Sequence, residues 1–519
     1  MPIAATFCRG QLGLTAPLVQ VEVNLGAGLP TFSIVGLPAT AVKESKERVR
    51  AALTNSGFEF PAGRITVNLA PADLPKEGGR FDLPIALAIL LASRQLLERG
   101  PEAASGREFY GELSLSGELL PVRGLTLAAA HAARAGHEII VPLANVQDVG
   151  VVRQGRTLAA RSLLEVCAHL RGDAREMLSR QPCLPNPAID PDASRPGLEL
   201  ADVRGQTFPK RALVVAAAGF HSLLMSGPPG SGKTMLAQRL PGLLPALSPA
   251  EALEVATIAS ISSHDSLPRR FGRRPFRAPH HTASANALVG GGPQARPGEV
   301  SLAHRGVLFL DELPEFDRRV LESLREPLEN RTVVISRARL QAQYPAAFQL
   351  IAAMNPCPCG YLGDLAASCR CTPAQVQAYR ARISGPLLDR IDLFIEVPRL
   401  PVADIAGLAA GHPPPLSSED AAAAVLRARE RQMSRNGCLN GELPHAQLQV
   451  LARPTAAALE LLERVFERLG LTARSYHRVL RVALTSADLE GSEVIGPTHI
   501  AEAVQLRRAA DVFRPAPAP

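Results

Sequence analysis

Eight consecutive residues, Gly227, Pro228, Pro229, Gly230, Ser231, Gly232, Lys233 and Thr234, fit the pattern G-x-x-x-x-G-K-[ST]. Its chemistry is phosphate binding: backbone N–H groups of the loop and of a helix N-terminus face anionic oxygens, a lysine adds a compact charge, and a hydroxyl holds Mg2+. The choice of lysine is informative. The chain has five lysines (43, 46, 76, 210 and 233), which leaves 51 arginines among its 56 basic residues. A planar, forked guanidinium does not thread the narrow cradle that an ammonium fills. The pattern therefore predicts that Lys233 reaches the β- and γ-oxygens of bound ATP and that Thr234 ligates Mg2+.

A second stretch, GVLFLDELPEF (306–316), is an apolar strand ending in Asp311 and Glu312. Downstream of a phosphate loop, one carboxylate completes the Mg2+ shell and another orients the attacking water; Asp311 is assigned the metal and Glu312 the water. A third apolar run, FQLIAAMNPCPCG, ends at Asn355, placed to sense a γ-phosphate. Cys357, Cys359, Cys369 and Cys371 follow as C-x-C, nine residues, C-x-C. Four thiolates suit a structural, tetrahedral Zn2+, with reduced and unligated thiols as the alternative.

These groups need a strand before the loop and a helix after it, and HSLLMS and TMLAQRLPGLL supply both. Two proline-rich breaks set the wider organisation, predicting units at 1–180, 200–400 and 421–519 with linkers at 181–199 and 401–420. The first unit mixes strand candidates such as RITVNLAPA and GELSLSGELLPV with the helix FDLPIALAILLASRQLL, for which Asp82 is a candidate cap. The middle unit alternates strands and helices, the pattern of a parallel α/β sheet. The last is helical; Leu459, Leu462 and Phe466 of TAAALELLERVFERLG share one face.

Composition bounds the function. At 519 residues, 46% hydrophobic and 20% charged, the chain reads as several folded domains. Its 56 basic against 49 acidic residues permit a polyanionic partner without requiring one. The start, MPIAATFCRGQLG, has no basic segment followed by an apolar core, and the longest apolar run, Leu83 to Ala92, is half a membrane span. A cytoplasmic protein with no membrane partner is expected, and in a reducing compartment the clustered cysteines point to metal before disulfide.

The run FRAPHHTASANALVGGGPQARPGEVSLAHRGVLFLDELPEF (276–316), with the phosphate loop and tail, closely resembles the ComM/YifB family, AAA+ ATPases related to the ATPase subunit of magnesium chelatase. The resemblance covers essentially the whole chain. It implies an AAA+ P-loop α/β core, a C-terminal helical lid, and a homohexamer. It also implies two elements that project into a ring's pore, the insertion ANALVGGGPQARPGE and the hairpin RTVVISRARLQAQYPAAF. Arg296, Arg337 and Arg339 there offer guanidinium groups to single-stranded or branched DNA. The resemblance favours Arg390 as an arginine finger acting on a neighbouring subunit, with Arg382 as second choice. Arg474 is expected to be a second phosphate sensor reaching from the lid.

Residues 1–180 resemble the Lon protease domain, an S5 domain 2-like α+β fold, through NLAPADLPKEGGRFDLPIALAIL and GELSLSGELLPVRG. Lon-type cleavage needs a Ser–Lys dyad. The chain has GGRFDL where the serine belongs and LTLAAAHAARAG, without lysine, where the lysine helix begins, so no protease activity is expected. The reading that follows is an ATP-driven DNA motor, a helicase promoting branch migration in recombination and natural transformation, with recombination proteins as partners and no membrane. Its rivals are a chelatase-like ATPase that remodels a protein without DNA, and a scaffold that binds nucleotide without hydrolysis. The Lon-like block and the cysteine cluster favour the DNA motor.

Overall fold

The computed structural model describes residues 3–96, 106–173, 177–182, 198–262, 271–292, 295–337, 340–364, 367–400, 416–469 and 472–508. The two expected linkers and Arg339 fall mostly or wholly outside the described residues.

In the N-terminal unit, β1 (Ile3–Arg9), β2 (Leu18–Gly26), β3 (Thr31–Val35) and β4 (Arg64–Ala70) form a sheet in the order β1-β2-β4-β3, antiparallel except for β3 with β4. Val19, Val21 and Val23 of β2 and Ile65, Val67 and Leu69 of β4 are buried, the period-two alternation of a sheet with one covered face. The helices α1 (Thr40–Asn55) and α2 (Asp82–Ala92) complete this core, α2 being buried almost all round. A smaller parallel sheet, β5 (Arg107–Phe109) with β8 (Glu138–Pro142) and β9 (Arg156–Ala160), adjoins it. The predicted strand GELSLSGELLPV resolves into a short hairpin, β6 (Glu112–Leu113) and β7 (Leu119–Leu120), turning at Gly117 with φ +86°.

Asp82 does not cap α2. The N-cap is Phe81, and the Asp82 carboxylate turns toward α1, accepting from Arg48 Nε (2.7 Å), Ser45 Oγ and the Leu113 N–H (3.2 Å). A buried carboxylate gains more from a guanidinium than from the amides of its own first turn.

The central unit is built on five parallel strands in the order β11-β14-β17-β10-β18: β10 (Leu223–Ser226), β11 (Phe276–Arg277), β14 (Val307–Leu310), β17 (Gln349–Met354) and β18 (Leu393–Glu396). Both faces are covered, so the strands read as continuous apolar runs. Leu223, Met225, Phe309, Ile351, Ala353 and Ile395 pack into one core with the helices Thr207–Gly219 and Lys233–Leu243. Leu224, Leu308, Leu310, Leu350, Ala352 and Phe394 face the opposite core. Two hairpins leave this framework: β12 (Gly290–Gly291) with β13 (Arg296–Pro297), and β15 (Thr332–Arg337) with β16 (Leu340–Pro345).

The C-terminal helices, chiefly Ser418–Asn436, Ala456–Leu469, Ala473–Glu490 and Pro497–Gln505, share the first core with the sheet. Arg429 donates to the Ala217 carbonyl from Nε (2.9 Å) and Nη2 (2.6 Å). Arg478 pairs with Asp392 (2.6 Å). The N-terminal unit meets the central one at Gly124 N–H to Ser260 O (3.1 Å), and Ala16 and Leu127 join the core that holds Ile335, Ala342 and Tyr344 of the second hairpin. No helix among the described residues is long and apolar enough to cross a membrane.

Asp392 is buried, and Arg478 and His221 hold its carboxyl far below the usual carboxylate range against the opposing effect of burial. A depressed folded-state pKa stabilises above the unfolded value of about 4 and is lost as pH falls through the folded value. Asp392→Asn is therefore expected to destabilise the protein by about 3–5 kcal/mol at pH 7. In denaturant titrations the gap between variant and wild type should shrink steadily as pH is lowered below about 4.

Candidate nucleotide site

β10 lies between β17 and β18, so the loop that leaves Ser226 is flanked by the exits of both neighbours. Gly227 is pressed against β18's continuation: a Cβ there would stand 2.1 Å from the Val397 carbonyl oxygen. Gly230 (φ +74°) and Gly232 (φ +92°) take the left-handed turns that bring the chain around to the helix Lys233–Leu243. Gln206 braces the loop from below, donating through Nε2 to Ser231 O (3.2 Å) and Pro398 O (2.8 Å).

Lys233 opens that helix and is 8% exposed. Its Nζ donates to Gly227 O (2.7 Å), Pro228 O (2.9 Å) and Asn355 Oδ1 (3.4 Å). Among the described residues it makes no ion pair. Burial pushes its pKa down, and Asp311 and Glu312 pull it part of the way back. A nearly buried ammonium hydrogen-bonded only to neutral oxygens carries a charge that an anion would offset.

The other candidates converge on it. Thr234 Oγ1 donates to Asp311 Oδ2 (2.7 Å), joining the hydroxyl and carboxylate expected to share Mg2+. Asp311 Oδ1 accepts the Glu312 N–H (2.9 Å). Glu312 has φ +52°, strained for a residue with a Cβ, and is exposed; its Oε2 lies 3.3 Å from His281 Nδ1. Asn355 follows β17 directly and touches Lys233, so Lys233, Thr234, Asp311 and Asn355 form one connected group with Glu312 at its edge.

The arginines lie elsewhere. Arg390 binds Glu329 (2.5 Å) and the Pro386 carbonyl (2.7 Å), with its side chain 16% exposed. Arg474 pairs with Asp389 (3.1 Å), and its charge also reaches Glu329. The structure thus gathers Arg390 and Arg474 around Glu329 and Asp389, apart from the phosphate loop. Arg382, 54% exposed, binds Glu315 (2.8 Å) and the Pro314 carbonyl (3.3 Å), in the turn just after Glu312. Arg296 is exposed and close enough to Glu77 of the N-terminal unit to stabilise its charge. Arg337 ends β15.

The cysteine loop touches the site. Gly360, with φ +87°, lies against Pro229: a Cβ there would meet the ring carbon at 2.7 Å. Cys357 Sγ is 3.4 Å from Cys359 Sγ and 3.6 Å from Cys369 Sγ, and Cys359 and Cys369 are 3.6 Å apart. All four sulfurs lie within 4.8 Å of one another. Tetrahedral Zn–S bonds of about 2.3 Å place sulfurs about 3.8 Å apart, so the four thiols fit such an ion. Backbone N–H groups of Arg370 and Tyr361 pull Cys359 down to about 6, while burial and side-chain hydrogen bonds within the cluster push Cys369 and Cys371 up.

Sequence reasoning did not reach His281, Gln206 or the contact of Gly360 with Pro229. The paired histidines of APHHTAS, whose rings lie tilted against each other with centroids 4.1 Å apart, were the one available signal for the first. The others are tertiary contacts with no local pattern.

The family model "Magnesium chelatase, subunit ChlI" matches residues 199–405, "Subunit ChlI of Mg-chelatase" matches 21–145, and "Magnesium chelatase, subunit ChlI C-terminal" matches 415–507. The chain is 46% identical to the competence protein ComM of Haemophilus influenzae, covering 98% of both chains. It is 47% identical to the YifB protein of Salmonella typhimurium, covering 98% of this chain and 97% of the other. The magnesium-chelatase 67 kDa subunit of Heliobacterium mobile is 32% identical over 33% of this chain and 30% of its own.

The packing of Gly360 on Pro229 gives a direct test. Gly363 shares the left-handed conformation (φ +81°) but faces open space. Both alanine variants carry the backbone strain of about 1 kcal/mol, while Gly360→Ala also forces the cysteine loop off the phosphate loop. Thermal unfolding is expected to show Gly360→Ala clearly less stable than Gly363→Ala, and equal midpoints would remove the contact.

Proposed function

The chain belongs to the ComM/YifB family of magnesium-chelatase-like AAA+ ATPases, and from that premise we propose that it is an ATP-driven motor that moves DNA. The connected group Lys233–Asn355 and Thr234–Asp311 at the mouth of the glycine loop carries the reading. ATP with Mg2+ would bring the phosphoanhydride and the cation that offsets its charge. Lys233 would exchange the Gly227 and Pro228 carbonyls for phosphate oxygens, a gain because those neutral acceptors compensate its charge poorly. Thr234 and Asp311, already in contact, would hold the metal, and Glu312 would leave His281 to orient and deprotonate water. Asn355 would report the phosphate to β17 and the cysteine loop.

Coupling to DNA is the finer part of the proposal. One relative similar over its full length is a competence protein, and Arg296, Arg337 and Arg339 on the two hairpins would follow a phosphate backbone through the pore of a homohexamer. Branch migration of recombination intermediates in the cytoplasm is the activity proposed. Across the subunit boundary, Arg390 would serve as finger after release from Glu329, with the more exposed Arg382 as second candidate, and Arg474 as second sensor. Zn2+ on Cys357, Cys359, Cys369 and Cys371 would fix the loop that rests on Pro229. The N-terminal unit is proposed to be Lon-like and without peptidase activity: the segments where a serine and lysine belong meet, but through Arg80 donating to the Arg123 carbonyl (2.7 Å).

A chelatase-like remodeller that ignores DNA is the second reading, favoured by the match of 21–145 and 199–405 to models of the chelatase subunit. Stimulation of ATP turnover by branched or single-stranded DNA separates the two, since the remodeller should show none. Lys233→Ala is expected to abolish turnover, and Glu312→Gln to retain ATP binding while reducing kcat by about 100-fold or more. Replacing Arg296, Arg337 and Arg339 by Glu should weaken DNA binding and lessen its salt dependence with basal hydrolysis intact. Elemental analysis of the purified protein should find one zinc per chain, lost together with thermal stability on Cys357→Ser; a zinc-free wild type of equal stability would refute the metal.

A further inference from the structure

A cavity of about 300 Å3 lies where the N-terminal unit meets the two hairpins. Its wall brings together three sequence-distant parts: residues 77–81, residues 121–123, and Arg296 with Tyr344 from the hairpins. The first two are the segments where a Lon-type serine and the start of its lysine helix would stand. Neither residue is there, yet the cavity remains and carries other chemistry.

Two side chains in that wall have unmet hydrogen-bonding capacity. Arg80 is 7% exposed. Its Nη2 donates to the Arg123 carbonyl (2.7 Å) and to Gln11 Oε1 (3.3 Å), and it forms no ion pair among the described residues. Buried guanidinium groups are ordinarily matched by a carboxylate, as Arg9 is by Glu108 in this same unit (2.8 Å). Tyr344 is 1% exposed and lines the cavity, and none of the side-chain hydrogen bonds among the described residues involves its hydroxyl. Burial pushes that hydroxyl up to about 12, so it stays a proton donor at neutral pH. Arg80 has the Glu77 charge within electrostatic reach but no carboxylate in direct contact, and the Tyr344 phenol has no acceptor, so an anionic oxygen in the cavity would serve both.

The remaining charges refine the picture. Arg123 and Arg296 line the cavity on the cationic side, and Glu77 and Glu112 line it as well. Burial raises the Glu77 carboxyl, with Arg296 and Arg80 opposing. The two acids suit hydroxyl or ammonium groups on the rest of a ligand, not a second anionic group. The volume is at the lower end of small-molecule sites.

We propose that this cavity binds a small molecule through a phosphate or carboxylate group held on the cationic side of its wall, by Arg80 and Arg296, with the Tyr344 hydroxyl as a further donor. Because Arg80 belongs to the N-terminal unit and Tyr344 to β16, such a ligand ties the unit to the hairpin and makes their contact depend on its concentration. The inference does not use the motor reading; a chain that hydrolysed no ATP would bind the anion equally.

The test is calorimetric titration of the full-length protein with inorganic phosphate and, separately, with succinate, in excess of a non-hydrolysable ATP analogue with Mg2+ so that the β- and γ-phosphate positions of the phosphate loop are already filled. Saturable binding of one anion per chain is expected for at least one of the two, and which one binds identifies the head group. Tyr344→Phe removes only a hydroxyl and should weaken that binding about ten-fold. Arg80→Gln should abolish it; if this variant fails to fold, Tyr344→Phe decides alone. The proposal is overturned if neither anion binds the wild type, if Tyr344→Phe binds as tightly as wild type, or if only an oligonucleotide occupies the site.

Discussion

A nearly buried ammonium with only carbonyl and amide oxygens around it sets the terms for the central unit. Lys233 is placed there by a helix that starts on it, a loop that needs two left-handed glycines, and a strand lodged between two others. None of these can shift alone. Were β10 an edge strand, the loop would have one neighbouring strand exit instead of two, and either Asn355 or Val397 would be missing from its side. The parallel sheet order is thus what brings residues from 227 to 397 within reach of one cation.

The same dependence explains what could be read without coordinates. The glycine loop, the acidic strand end and Asn355 each have a local signature, because the chemistry constrains residue type and spacing together. The four cysteines have one as well. Their sulfurs do gather, and the clustering rests on two close-spaced pairs folded back on one another. Three of the five core strands, β10, β14 and β17, were legible as apolar runs, since burial on both faces removes the alternation that would otherwise show register, whereas β11 is two residues long and carries an arginine.

What escaped was set by tertiary context. Asp82 looked like a cap because acids at helix starts commonly are, but Arg48 on a neighbouring helix was the stronger partner. The pairing of Glu312 with His281 and of Arg390 with Glu329 depends on loops whose paths no periodicity predicts. The hairpin Thr332–Pro345 was read as a feature of a ring's interior. In the monomer, part of its surface also packs on the N-terminal unit, through Ala342 against Gly13. Apolar residues at Ile335, Ala342 and Tyr344 alternate on one side of that hairpin, which gives it a face to bury as well as a face to display.

The apolar core shared by the sheet and the C-terminal helices has a mechanical meaning. Leu223 and Ile351 belong to the same packed cluster as Val482 and Ile500, and close-packed interiors transmit displacement with little compression. A displacement of the central sheet is therefore carried into the helical tail instead of being absorbed between them.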